Sequence, residues 1–87
     1  MTTLPTIHLN GTGARTLLKE YQAAYEALQL LQEKLANASC HARDYYPQGH
    51  EAYNEARYER AEMFAKLSDV EDYLISLIEH ASNHVKH

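Results

Sequence analysis

"ARTLLKEYQAAYEALQLLQEKLANA", residues 14–38, decides the fold. Its apolar residues fall at Ala14, Leu17, Tyr21, Ala24, Leu28, Leu31, Leu35 and Ala38, an unbroken alternation of three and four. That spacing draws one stripe along an α-helix, whereas a half-buried strand would alternate by two. Leu18 and Tyr25 widen the stripe. Lys19, Glu20, Glu26, Gln29, Glu33 and Lys34 take the other side, as water requires of an amphipathic helix.

Toward the C-terminus a second stripe runs through Tyr53, Ala56, Arg60, Met63, Leu67, Val70, Leu74, Leu77 and Ala81, broadened by Phe64 and Ile78. Only Arg60 interrupts its apolar character. A polar residue at such a seam fixes register or oligomeric state at some cost in stability, or meets a ligand inside a bundle. Pro47 and Gly49 lie between the stripes and Gly11 and Gly13 precede the first, so punctuation and periodicity agree on the boundaries. The expected elements of this single domain, residues 1–87, are an extended segment over 4–12, a helix over 13–38, a loop over 39–49 and a helix over 50–83. At 1.5 Å per residue the helices span roughly 40 and 50 Å. The fold class is all-α, an antiparallel helical hairpin.

Such a hairpin buries one narrow strip per helix, yet Leu18, Leu30, Phe64, Ile75 and Ile78 lie beside the strips. Another copy is expected to cover them, most simply in a homodimeric four-helix bundle and next in a larger ring. The chain length agrees, because 87 residues sit near the lower limit for a self-sufficient core.

Eight basic against 12 acidic residues give a net charge of −4, which disfavours duplex nucleic acid, whose readers carry a basic surplus. The lone Cys40 excludes an internal disulfide and agrees with a reducing, cytoplasmic setting. No apolar run approaches the roughly 20 residues that cross a bilayer, so no membrane partner is expected. Seven Tyr against one Phe and no Trp put a hydroxyl on most of the aromatic surface.

Ahead of the first helix, "TIHLNGTGAR", residues 6–15, alternates like a short extended segment with Ile7 and Leu9 on one side. Asn10-Gly11 forms a tight-turn pair tolerant of positive φ, and Thr12 is placed to cap the helix. Turn, cap and helix account for the segment structurally. Functionally, the N–H groups of Gly11, Thr12 and Gly13, with the helix dipole and Arg15, suit a phosphate or carboxylate.

The interhelical loop "SCHARDYYPQG" takes eleven residues, Ser39 to Gly49, where bundles use about 2 to 8. Tyr45 and Tyr46 offer flat faces and hydroxyls, Arg43 a bidentate donor, Asp44 and Gln48 directional hydrogen bonds, and Pro47 stiffness. The set suits stacking on a base or ring while Arg43 reaches a phosphate, and equally a protein hot spot. A structural role is also open, with both tyrosines plugging the bundle end and Asp44 pairing with Arg43 or capping the next helix.

"TIHLNGT", then a heptad helix, then "RDYYPQG" and a second helix resembles a group of small phage-encoded helical proteins of no settled function that share the NGT turn and the DYYPQG loop. The resemblance implies a phage accessory protein acting in the host cytoplasm, where such proteins disable defence by gripping a host protein or sequestering a nucleotide signal. Arg15 stands where an acidic residue would complete a capping box with Thr12, so that helix end is more positive.

In one hairpin the NGT turn and the loop lie at opposite ends. An antiparallel dimer would set Asn10, Gly11, Thr12 and Arg15 of one copy beside Arg43, Asp44, Tyr45, Tyr46 and Gln48 of the other, making two sites for a small phosphorylated ligand. The rival expectations are a module that binds a host protein and an architectural phage component. No enzymatic activity, metal or cofactor is expected. His80 and His84 lack the HExxH context and further ligands, and Cys40-His41 are neighbours without an orienting acid. Glu51, Glu55, Glu59 and Glu62 among Arg57 and Arg60 read as a solvated face laced with ion pairs three and four residues apart.

Overall fold

Two helices lie side by side in a rod of 60 × 23 × 18 Å. The computed structural model describes residues 2–85. Helix α1 covers Ala14–Asn37 and helix α2 covers Ala52–Asn83, joined through two 3-10 turns at Ala42–Asp44 and Tyr46–Gln48. No strand occurs among the described residues. The all-α hairpin is therefore observed, and both helices end within two residues of their expected bounds, the ordinary margin at fraying helix ends.

The seam agrees with the expected stripes at Ala14, Leu17, Tyr21, Leu28 and Leu35 of α1 and at Tyr53, Ala56, Arg60, Leu67, Leu74, Leu77 and Ala81 of α2, all buried or half-buried, and departs from them elsewhere. Ala14, Tyr21, Leu28 and Leu35 are buried or half-buried on α1, but the residues alternating with them toward α2 are Leu18, Tyr25 and Gln32. On α2 the corresponding row is Tyr53, Arg60, Phe64, Leu67, Glu71, Leu74, Ile78 and Ala81. Ala24, Leu31, Met63 and Val70, expected in the seam, stand exposed. A two-helix contact occupies two positions in seven, whereas these helices are apolar at three. Periodicity locates the broad stripe; the choice of edge follows from the packing.

That choice places polar groups in the seam. The Tyr25 hydroxyl donates to Glu71 Oε1 at 3.2 Å. This bond, with partial desolvation and the Glu71 charge, raises the Tyr25 pKa above its ordinary 10.0. At the loop end Arg60 Nη2 donates to the Leu35 carbonyl at 2.6 Å and to the Ala36 carbonyl at 3.1 Å. Those are among the last carbonyls of α1, where the Leu35 oxygen also accepts from the Ala38 N–H at 3.1 Å, and a cation there complements the helix dipole. Arg60 thus fixes register by capping the neighbouring helix.

The deepest burial lies at the other end, the foot, where Ala14, Leu74, Leu77 and Ala81 form most of the core. There the N-terminal segment crosses α2, and His80 Nε2 donates to the Pro5 carbonyl at 2.6 Å. Ile7 is half-buried, but Leu9 is 98% exposed, so the two do not share a packed side. Thr12 is not the helix cap. Gly13 holds the N-cap position without a side-chain bond. The turn before it closes from Gly11 N–H to the His8 carbonyl at 3.1 Å, with negative φ at both Asn10 and Gly11. Glycine serves there by leaving room: a Cβ on Gly11 would stand 2.8 Å from His8 Nε2.

Candidate functional site

The loop between α1 and α2 is built from backbone bonds that a rigid turn requires. Asp44 N–H donates to His41, Tyr45 N–H to Ala42 and Gln48 N–H to Tyr45, each at 3.0 Å, and Gly49 N–H donates to Tyr46 at 3.2 Å. Pro47 sits at the start of the second 3-10 turn, where its fixed φ suits the bend and its missing N–H costs nothing. Gly49 then reverses the chain at φ 112°, ψ 173°, a region open essentially to glycine alone. Gly49→Ala is expected to lower stability by about 1–3 kcal/mol from backbone strain, although a Cβ there would touch nothing. Urea denaturation checks this; an unchanged midpoint would mean that the turn adopts another conformation in solution.

The scaffold sorts the two tyrosines into different tasks. Tyr45 is half-buried, its ring 6.2 Å from that of Tyr53 and tilted by 40°, so it closes the end of the hairpin. Tyr46 is 71% exposed. Arg43, Asp44 and Gln48 are exposed as well. Asp44 makes no ion pair with Arg43, and the N-cap of α2 is Glu51, without a side-chain cap bond. Of the structural roles expected for this loop, only the Tyr45 plug is filled.

Around Tyr46 the surface is hollowed. A cavity of about 400 Å³ is lined by Ala42, Tyr46, Gly49, His50 and Tyr53. Through Tyr53 it adjoins a second, of about 350 Å³, which Cys40, Arg57, Arg60 and Phe64 also line. Arg57 and Ala61 continue it into a third, of about 480 Å³, with Glu51, Asn54 and Tyr58. Arg57 holds its guanidinium carbon 5.7 Å from the Tyr53 ring centroid, and Arg60 holds its own 5.5 Å from that of Phe64. At Arg57 such an arrangement leaves the edge of the guanidinium open to an anion, whereas Arg60 is engaged with the α1 carbonyls. The result is an aromatic floor with a cation at its margin.

Tyr53, Arg57, His50 and Tyr58 were not among the expected site residues. Tyr53 reads as seam in the sequence, and Arg57 as one charge on a solvated face. The ion pairs expected along that face are not formed: Arg57 lies over Tyr53, and Arg60 caps α1. A signal existed, since Tyr53 and Arg57 are four residues apart and so share a helix face.

The other half of the expected site lies at the foot. Asn10, Gly11, Thr12 and Arg15 are all exposed there, at the start of α1. The 24 residues of α1 separate them from the loop, a distance of roughly 35 Å. One chain does not bring the two halves together. At the foot, the His80 and His84 rings meet with centroids 4.5 Å apart and planes tilted by 54°, and each gives a ring nitrogen to a backbone carbonyl, those of Pro5 and His80. No group of three or more His, Cys, Asp or Glu side chains among the described residues is arranged to hold a metal. No described helix is long and apolar enough to cross a membrane. Comparison with protein-family models, with curated proteins and with solved structures finds no match to this chain.

Proposed function

We propose that this chain is a non-enzymatic phage accessory protein that captures a small phosphorylated ligand of the nucleotide class at sites between copies. The observation that carries the reading is the exposed Tyr46 ring beside a hollow of about 400 Å³ that also presents Tyr53 and His50. That volume lies within the range of about 300–1,000 Å³ common to small-molecule sites. Tyr46 and Tyr53 stack on the base, Arg43 and Arg57 receive phosphate charge, and Asp44 and Gln48 select hydrogen-bonding edges. Asn10 to Arg15 of another copy adds the N–H groups of a helix end. Capture is stoichiometric, so binding strength rather than turnover sets potency.

The test is thermal denaturation against a panel of linear and cyclic nucleotides. One compound at a hundredfold excess over its Kd adds about 2.7 kcal/mol, a rise of several degrees. Tyr46→Ala is expected to abolish that rise while leaving the ligand-free midpoint within a degree or two, because the ring is mostly in water. No rise with any nucleotide overturns the reading.

A second reading has its own observation. Tyr46 and Tyr58 are both exposed aromatics, and Tyr58 shares a hollow with Arg57, while Tyr and Arg dominate protein hot spots. There the partner is a host protein, and a pulldown that Tyr46→Ala defeats would favour it.

A further inference from the structure

We propose that His80 and His84 form a two-point site for a late divalent transition metal, Cu(II), Ni(II) or Zn(II), at the foot of the hairpin. The two histidines stand four residues apart at the end of α2, so their side chains rise from one helix face. Imidazole is a side chain that these metals favour, whereas Mg(II) and Ca(II) favour oxygen. Two imidazole nitrogens bound to one such ion, each about 2.0–2.1 Å from it, stand about 3 Å apart. Rings whose centroids lie 4.5 Å apart allow that separation.

The hydrogen bonds fix which nitrogens can bind. His80 Nε2 lies 2.6 Å from the Pro5 carbonyl, and His84 Nδ1 lies 2.8 Å from the His80 carbonyl. A carbonyl oxygen only accepts, so each of those nitrogens carries a proton. In the neutral ring the other nitrogen then holds a lone pair: Nδ1 of His80 and Nε2 of His84. This is how proteins prepare a histidine for a metal. One ring N–H given to a backbone carbonyl sets the tautomer, orients the ring and makes the opposite nitrogen the better donor.

The fold supplies both carbonyls. Pro5 comes from the N-terminal segment, 75 residues away from His80 in the chain. The second arises because α2 tightens as it ends: the His84 N–H turns to the Ala81 carbonyl at 3.1 Å, three residues back, and the His84 ring takes the His80 carbonyl instead. His80 is half-buried and His84 exposed, so the site opens to water, which completes the coordination. Two nitrogens are fewer than the three or four protein ligands of a resident catalytic or structural zinc. The ion is therefore an exchangeable one. On Nδ1 it polarises the His80 ring and strengthens the bond from Nε2–H to Pro5, and so clamps the N-terminal segment to α2. The site lies at the end of the rod away from Tyr46 and does not depend on the capture reading.

The experiment joins calorimetric titration of the full chain by Cu(II) with proton-nitrogen correlation NMR of the histidine rings under Zn(II). One equivalent of Cu(II) is expected to bind with micromolar affinity, and Mg(II) not at all. His80→Gln and His84→Gln should each weaken Cu(II) binding by about tenfold or more. His41→Gln, at the loop end, should leave it unchanged. In the metal-free wild-type chain at mildly alkaline pH, the proton is expected on Nε2 of His80 and on Nδ1 of His84, and Zn(II) should shift the other nitrogen of each ring. That measurement stands even if a variant fails to fold. Absence of micromolar Cu(II) binding, an affinity indifferent to either substitution, or Zn(II) on other histidines would overturn the inference.

Discussion

Arg60→Ala is expected to lower the unfolding free energy by about 2 kcal/mol and the thermal midpoint by roughly 10 °C. Its guanidinium is the donor for the Leu35 and Ala36 carbonyls at the end of α1 and lies over the Phe64 ring. Bonds from a charged donor are the stronger kind, and their loss leaves the Ala36 carbonyl to solvent and the Leu35 carbonyl with the Ala38 N–H alone. Arg60→Leu separates the contributions: it restores apolar volume at a half-buried seam position but not the cap. If capping dominates, the leucine variant remains well below wild type, and hydrogen exchange at the last turn of α1 accelerates. A leucine variant as stable as wild type would place the value of Arg60 in packing, and the cap bonds would count for little.

Leu77→Ala is expected to cost about 3 kcal/mol, within the range for emptying a buried leucine site. Leu77 is 4% exposed, the most enclosed large side chain of a core that holds few. For a domain whose whole stability is of order 5–15 kcal/mol, that loss is severe. The matching change Leu30→Ala, on an exposed side chain, should stay within about 0.5 kcal/mol of wild type. Chemical denaturation followed by circular dichroism reads both. Equal costs at the two positions would mean that the foot is not the folding core. Removal of residues 2–9 should also lower stability, because it takes away the Pro5 carbonyl that His80 bonds at the foot.

Both predictions concern positions that the periodicity had placed in one seam without distinguishing them. Leu77 and Val70 occupy equivalent positions on α2, seven residues apart, yet one is buried and the other open. Nothing in the helical repeat separates them; Leu77 lies at the foot, one turn from His80, which bonds the Pro5 carbonyl, and Val70 does not. Arg60 was legible as the one interruption of its stripe, but its partner was not, because Leu35 and Ala36 lie 25 and 24 residues away. Thr12 looked like a cap by local chemistry, and the chain entered α1 one residue later, through Gly13.

The loop shows the same division. That it would be long, stiff and ring-bearing was visible in Arg43 to Gly49, and so was the separation of the NGT turn by the length of a helix. Which tyrosine would plug and which would project was not visible, since Tyr45 and Tyr46 are chemically identical neighbours. Their difference comes from Tyr53 standing beside one of them at the start of α2. Tyr53 and Arg57 joined the candidate site for that reason, as members of another element brought against the loop.

The sequence by itself determined the two helices, their limits, the hairpin and the residue types offered at each end, because heptad spacing, Pro and Gly act through neighbours along the chain. Only the tertiary structure decided which edge of a three-position stripe would meet the sister helix, which carbonyls Arg60 would cap and which ring would face water. Those outcomes depend on side chains that are far apart in the chain and adjacent in space, and local periodicity carries no term for the distance between them.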